Sequence, residues 1–195
     1  MMKTTEEKVK YETGVIHGRF QILHNDHLEY ILSGKKLCLH LVIGITNPDP
    51  TTVKQEAADS KRSSPLANPL TYYERHVLVR LAMESTGVKP EKYSVVPLPI
   101  STPELYKYYV PVDAVFFLSI YDNWGRRKKE YFESLGLNIH VLREVTPEEK
   151  GISAGYIRKC MVENRPWEKM VPADVARKLK EWQIPDRLTQ MTKQV

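Results

Sequence analysis

Two histidines, His24 and His27, stand three residues apart just after Gly18-Arg19-Phe20-Gln21 and the short apolar run Gly14-Val15-Ile16. Imidazoles can donate to anionic oxygens, an arginine presents a planar fork of donors, and a glycine lets backbone amides approach a ligand closely. Set between a strand's end and a helix's beginning, these residue types suit the gripping of a polyphosphate. A second group lies far along the chain, Ile152-Ser153-Ala154-Gly155-Tyr156-Ile157-Arg158. Ser153 reads as an N-cap with free amides beyond it, and Arg158 falls one turn further in, which makes a second anion site. His17, inside the first strand, has two readings: a nucleotide contact or a core histidine with a satisfied hydrogen bond.

The elements that must position these groups follow from periodicity. Residues 15–19 read as a first strand and 24–36 as a helix, with Leu28, Ile31 and Leu32 at helical spacing. The continuous apolar run over 37–46 is that of a parallel strand buried on both faces, stopped by Asn47-Pro48-Asp49-Pro50. Residues 51–70 are polar and aperiodic, hence a long surface loop. A helix over 71–84 opens with Thr71 and Glu74 at capping-box spacing and carries the stripe Val77, Leu78, Leu81 and Ala82. Strands are expected over 93–98, 114–120 and 138–142, with a helix over 124–135 stopped by Gly136. A terminal amphipathic helix is expected over 173–182.

Strands separated by helices or long crossovers predict an α/β fold, a doubly wound, Rossmann-like five-stranded parallel sheet with helices on both faces and a small C-terminal helical extension. Its ligand belongs at the carboxyl ends of the strands, near the topological switch point, where the first motif lies.

Composition narrows the classes. A chain of 195 residues with 42% hydrophobic residues accommodates one core. Its apolar runs are too short to span a bilayer and the charged N-terminus lacks an apolar signal core, so the expectation is a cytoplasmic protein with no membrane partner. The net charge of +5 is scattered over Lys35-Lys36, Lys61-Arg62, Arg126-Arg127-Lys128-Lys129 and Arg177-Lys178, which argues for a small anionic ligand and against nucleic acid. Cys38 and Cys160 show no metal spacing and read as small hydrophobes.

Taken together, the motifs resemble the nucleotidyltransferase superfamily marked by a His-X-X-His signature after the first strand and an Ile-Ser-X-X-X-X-Arg signature near the end. More closely, the chain resembles the archaeal type of nicotinamide-mononucleotide adenylyltransferase. That likeness also covers Asn68-Pro69-Leu70-Thr71 with Glu74-Arg75, the Val96-Pro97-Leu98-Pro99 strand end, and Pro166-Trp167 with Val171-Pro172. The resemblance implies residues 13–195 as a single nucleotidyltransferase domain, including C-terminal helices from about 152, after an arm over 1–12. It implies transfer of a nucleoside monophosphate from a nucleoside triphosphate to a phosphate- or phosphonate-bearing acceptor, with pyrophosphate released.

His24, His27 and Arg158 are then the catalytic candidates, and Ile16, His17, Gly18, Arg19, Phe20, Ile152 and Ser153 the nucleotide-binding ones. Mg2+ would arrive with the triphosphate, and no resident metal site is expected. Relatives of this kind are often multimeric, so a homo-oligomer is an expectation.

The acceptor or base pocket is expected around Arg75, Tyr121, Asp122, Asn123 and Trp124. Arg75 is either a phosphate contact or the partner of a carboxylate; Tyr121 and Trp124 either stack on a ring or pack in the core. His40, His76 and His140 read as structural. Three positions depart from the family pattern: Asp26 replaces the glycine between the histidines, Gly155 replaces a threonine, and the segment 118–124 is longer than the usual Gly-Asn turn. The first expectation is ATP with nicotinamide mononucleotide, giving NAD. The alternative is a CTP-dependent cytidylyltransferase acting on a small phosphonate or phosphate monoester. A reading from another class is a nucleotide-binding regulator that Asp26 has disabled.

Overall fold

The computed structural model describes residues 9–49, 64–146 and 151–193. Within them the chain runs β1 (Tyr11–Gly18), α1 (Asn25–Leu37), β2 (Cys38–Thr46), α2 (Tyr72–Glu84), β3 (Tyr93–Leu98), β4 (Val115–Ile120), α3 (Asn123–Ser134), β5 (Asn138–Glu144), α4 (Ala154–Val162), α5 (Ala173–Glu181) and α6 (Ile184–Thr192). The strands form one sheet in the order β3-β2-β1-β4-β5. Each neighbouring pair is parallel. The chain therefore winds outward from β1 to β3 and then returns to the other side of β1. That reversal opens a crevice at the carboxyl ends of β1 and β4, as expected of a doubly wound sheet.

Alternation along β1 divides the core between two layers. Ile16 joins Ile43, Phe117, Leu78, Leu179 and Leu188 on one side of the sheet. Val15 joins Val42, Phe116, Tyr106 and Phe132 on the other. On the first side α1 comes unusually close: a Cβ on Gly34 would stand 2.9 Å from the Phe117 ring, and one on Gly14 of β1 would stand 2.2 Å from it. Phe117 thus fills the space that two missing side chains leave.

Local chemistry fixes the ends of the elements. The Thr71 hydroxyl accepts from the Glu74 amide while Glu74 accepts from the Thr71 amide, so the expected capping box is formed. Asp122 caps α3 by accepting from the Gly125 amide, and Ser153 caps α4 by accepting from Tyr156. Gly136 takes the left-handed φ of +76° that ends the α3 turn. Glu74 does more than cap. It pairs through both carboxylate oxygens with Arg187 of α6, at 2.7 and 3.0 Å, and Arg187 also donates to the Pro69 carbonyl. Since α6 packs on α4, this ties the C-terminal helices to the start of α2.

Several expectations need adjustment. β1 begins at Tyr11, so Tyr11 and Glu12 belong to the sheet and not to an arm over 1–12. The helix expected over 173–182 is not terminal: Gln183 turns the chain with φ of 53°, and α6 follows with a proline in its first turn, a favoured starting position. Of the surface loop expected over 51–70, residues 51–63 lie outside the described segments. The rest is a short 3-10 turn, Pro65–Ala67, and Ala67 and Leu70 are buried. Both cysteines are buried and unbridged. Among the described residues, no helix is long and apolar enough to cross a membrane.

Candidate active site

At the carboxyl end of the sheet lies a cavity of about 1100 Å³ whose walls come from both halves of the chain, His17 to His27 and Gly151 to Arg158 among them. It brings together both sequence motifs, 130 residues apart, as the reversal at β1 and β4 requires. Its size suits a nucleotide together with a small second ligand.

One end of the cavity collects positive and donor groups. His24 occupies the N-cap position of α1 in an extended conformation, but its side chain makes no capping hydrogen bond. The ring instead stacks on His27, with centroids 3.7 Å apart, and His27 meets Phe20 edge-on. Phe20 itself has a left-handed φ of 51°, uncommon for a bulky residue, and its side chain is fully buried. The Nδ1 atoms of His24 and His27 are buried without hydrogen-bond partners.

Burial pushes His24 down to about 4, with Asp26 opposing the shift. Burial also takes His27 well below the usual histidine range, helped by His24 and Arg19 and opposed by a backbone contact at Ile22. Both imidazoles are therefore neutral near pH 7 in the free protein. Arg19 and Arg158 face the same space. Arg158 donates to the Gln21 carbonyl, and burial, with Arg19 nearby, pushes its guanidinium down to about 10. Neighbouring cations and neutral buried imidazoles are each relieved when an anion enters.

The three departures from the family pattern now have positions. The Asp26 carboxylate points across the cavity at Gly151, where a Cβ would stand 2.1 Å from Oδ2. The glycine missing between the histidines is matched by a glycine on the facing loop, which makes room for the carboxylate. Gly155 leaves open space beside Ser153 and Arg158, whose side-chain atoms are 3.9 and 3.8 Å from a Cβ placed there. Tyr121, Asp122 and Trp124 line the cavity.

The remaining expected residues are placed as follows. Gly18, Phe20, Ile152 and Ser153 line the cavity, whereas Ile16 packs its side chain wholly into the core and does not. Asn123 lies outside the cavity lining and accepts from Arg126. Arg75 is neither of the things expected of it. It is 2% exposed and donates to the backbone carbonyls of Arg19, Thr46, Asn47 and Thr71. Those four carbonyls occupy four of its five N–H donors, so it locks the ends of β1 and β2 together, and it is not among the residues that line the cavity. His40 and His140 are structural as expected, bonded to Ser94 and Tyr11.

Sequence reasoning missed Gln21 and Lys128. Gln21 exchanges two hydrogen bonds with the Leu70 backbone and so holds the turn between β1 and α1 against the start of α2. Lys128 lines the cavity from α3, as does its neighbour Arg127; their place in a basic run of four gave no sign of which of the four face inward.

A doubly wound parallel sheet whose switch point opens onto paired imidazoles and a capped, arginine-bearing helix is an α/β domain with a cavity suited to an anionic ligand. No family model matches the chain. Over 176 residues it is 47% identical to a phosphonoformate cytidylyltransferase of Streptomyces viridochromogenes, covering 90% of this chain and 95% of that one. It is 29% identical over 179 residues to a nicotinamide-nucleotide adenylyltransferase of Thermococcus onnurineus, covering 90% and 86%. A solved bifunctional NMN adenylyltransferase/ADP ribose pyrophosphatase from Francisella tularensis shares the fold, with a TM-score of 0.64 at 14% identity, covering 94% of this chain and 54% of that one. The chain belongs to the nucleotidyltransferase superfamily and is an enzyme of that class.

Proposed function

We propose that this enzyme transfers a cytidylyl group from CTP to a small phosphonate, phosphonoformate or a close analogue. The observation that carries this reading is the 47% identity, over nearly the full length of both chains, to a phosphonoformate cytidylyltransferase, against 29% for an adenylyltransferase. It shifts the balance from the first expectation, NAD formation, to the alternative. The altered segment, which puts Tyr121, Asp122 and Trp124 on the cavity wall, supports the same choice.

In the reaction a phosphonate oxygen attacks the α-phosphorus of CTP. A new phosphorus–oxygen bond forms, the bond from the α-phosphorus to the bridging oxygen breaks, and pyrophosphate leaves with that electron pair. No protein nucleophile is needed, so the protein contributes positioning and charge stabilisation. Arg19, Arg158 and the free amides at the start of α4 hold the outer phosphates. His24 and His27 donate to the α-phosphate as negative charge builds on its oxygens. Entry of the triphosphate raises their basicity from the depressed values of the free protein, which strengthens these bonds in the bound state.

A divalent cation bound to the triphosphate would supply further charge neutralisation. Among the described residues no group of three His, Cys, Asp or Glu side chains is placed to hold a metal ion. Asp26 presents one carboxylate at this end of the cavity.

Purified protein with Mg2+ should release pyrophosphate from CTP in the presence of phosphonoformate and not from ATP with nicotinamide mononucleotide. The reverse pattern restores the NAD-forming reading, and nucleotide binding without turnover on either pair would overturn both. His27→Ala should reduce kcat by ~10²-fold or more while leaving the far-ultraviolet dichroism unchanged.

A further inference from the structure

His17 is 5% exposed, lines the cavity, and has hydrogen-bond partners on neither ring nitrogen. Strand alternation puts it on the opposite side of the sheet from Ile16 and α1, which carries His24 and His27. Its neighbours are those of the α3 layer. The ring lies 5.4 Å from that of Phe132, and Lys128 Nζ lies 5.6 Å from the same Phe132 ring and 5.1 Å from Trp124. The same cavity is also lined by Thr46 at the end of β2, Asn47 just past it and Ser101 beyond β3. A buried histidine with two empty nitrogens, aimed into a cavity and accompanied by a lysine, is an incomplete anion site.

We propose that His17 and Lys128 receive an acidic group of the acceptor, on the α3 side of the crevice and opposite the triphosphate grip. This rests on the phosphonate-acceptor reading and extends it: the acceptor is a compact polyanion held at its own subsite, with His17 removed from the nucleotide contacts. The Phe132 ring beside His17 is buried and lowers the local polarity, which makes each donor count for more.

Three variants of the full chain test this: His17→Leu, His17→Gln and Lys128→Met. With CTP and Mg2+, His17→Leu and Lys128→Met should raise the KM for phosphonoformate by about tenfold or more, the equivalent of one lost hydrogen bond to a charged group. Their affinity for CTP, titrated calorimetrically without acceptor, should change less than about twofold. His17→Gln, which keeps a donor, should recover part of the acceptor KM. His17→Leu should also melt no lower than wild type, because it removes an unpaired polar ring from an apolar setting.

An unchanged acceptor KM in the first two variants overturns the proposal, as does a loss that falls on CTP affinity. Should the wild type turn over no phosphonate, the substrate reading fails by itself. The subsite is then judged by direct titration of phosphonoformate: loss of binding in His17→Leu upholds it, and equal or absent binding in both proteins overturns it.

Discussion

The buried imidazoles that line the cavity carry a stability cost that reports on their state. His24 is pushed from its usual 6.5 to about 4 by burial, and burial lowers His17 and His27 in the same direction. A group whose folded value is depressed takes up protons more readily in the unfolded chain, so stability falls as pH drops. The fall begins near 6.5 and is complete once the pH passes the folded values. For His24 alone the loss from pH 7 to 4 is on the order of 3 kcal/mol. Denaturant titrations of the ligand-free protein should show this slope, and saturating CTP with Mg2+ should flatten it by favouring the protonated rings. A slope unchanged by nucleotide would mean that the triphosphate does not reach these side chains.

The same residues show what could be read from sequence. The gathering of His24, His27, Ser153 and Arg158 on one cavity was legible because it depends on spacing near helix starts, which is local. The orientation of His17 and the choice of Lys128 from a run of four depend on which sheet face and helix face meet. Arg75 was misassigned for a related reason: an arginine can serve a ligand or the backbone, and only the position of the carbonyls around it decides.

At the scale of elements, the close approach of α1 to β1 and β4 is the feature most sensitive to change. Gly34→Ala gains about 1 kcal/mol of helix propensity. The new methyl would meet Phe117 at 2.9 Å and Ile16 at 3.2 Å, both fully buried. Overpacking of that kind costs about 1–3 kcal/mol and so outweighs the propensity. Gly14→Ala gains no propensity and meets Phe117 at 2.2 Å, so it should be the more damaging of the two. Thermal melts should fall in both, by roughly 2–4 °C for each kcal/mol in a chain of this size. A rise for Gly34→Ala would show that α1 can shift away from the sheet. The strands themselves were legible because buried parallel strands read as continuous apolar runs. The last helix was not, since a left-handed residue such as Gln183 leaves no pattern in the sequence.

For the whole molecule, the two halves of the proposed phosphate grip are mounted on different helices of one core cluster. His24 and His27 ride on α1 against the sheet, while Ser153 and Arg158 ride on α4, which packs on α6. Regions with fewer sheet contacts open at lower free energy than the strands they cover. Heating should therefore abolish turnover before the sheet melts, and amide exchange over residues 154–192 should rise ahead of that in β1 and β4. Simultaneous loss of both would show a single cooperative unit.

The tie between Arg187 and Glu74 gives this arrangement an order in time. The strands are complete by Glu144, so a chain emerging from synthesis can form the sheet and present its histidines before α4 to α6 exist. The proposed catalysis has to wait for the last helix, whose arginine clips onto the cap of α2 and which packs on α4, the helix that carries Arg158. The clip therefore doubles as a completeness check: a product truncated before Arg187 keeps the sheet and the histidine pair but lacks the anchor for the other half of the clamp.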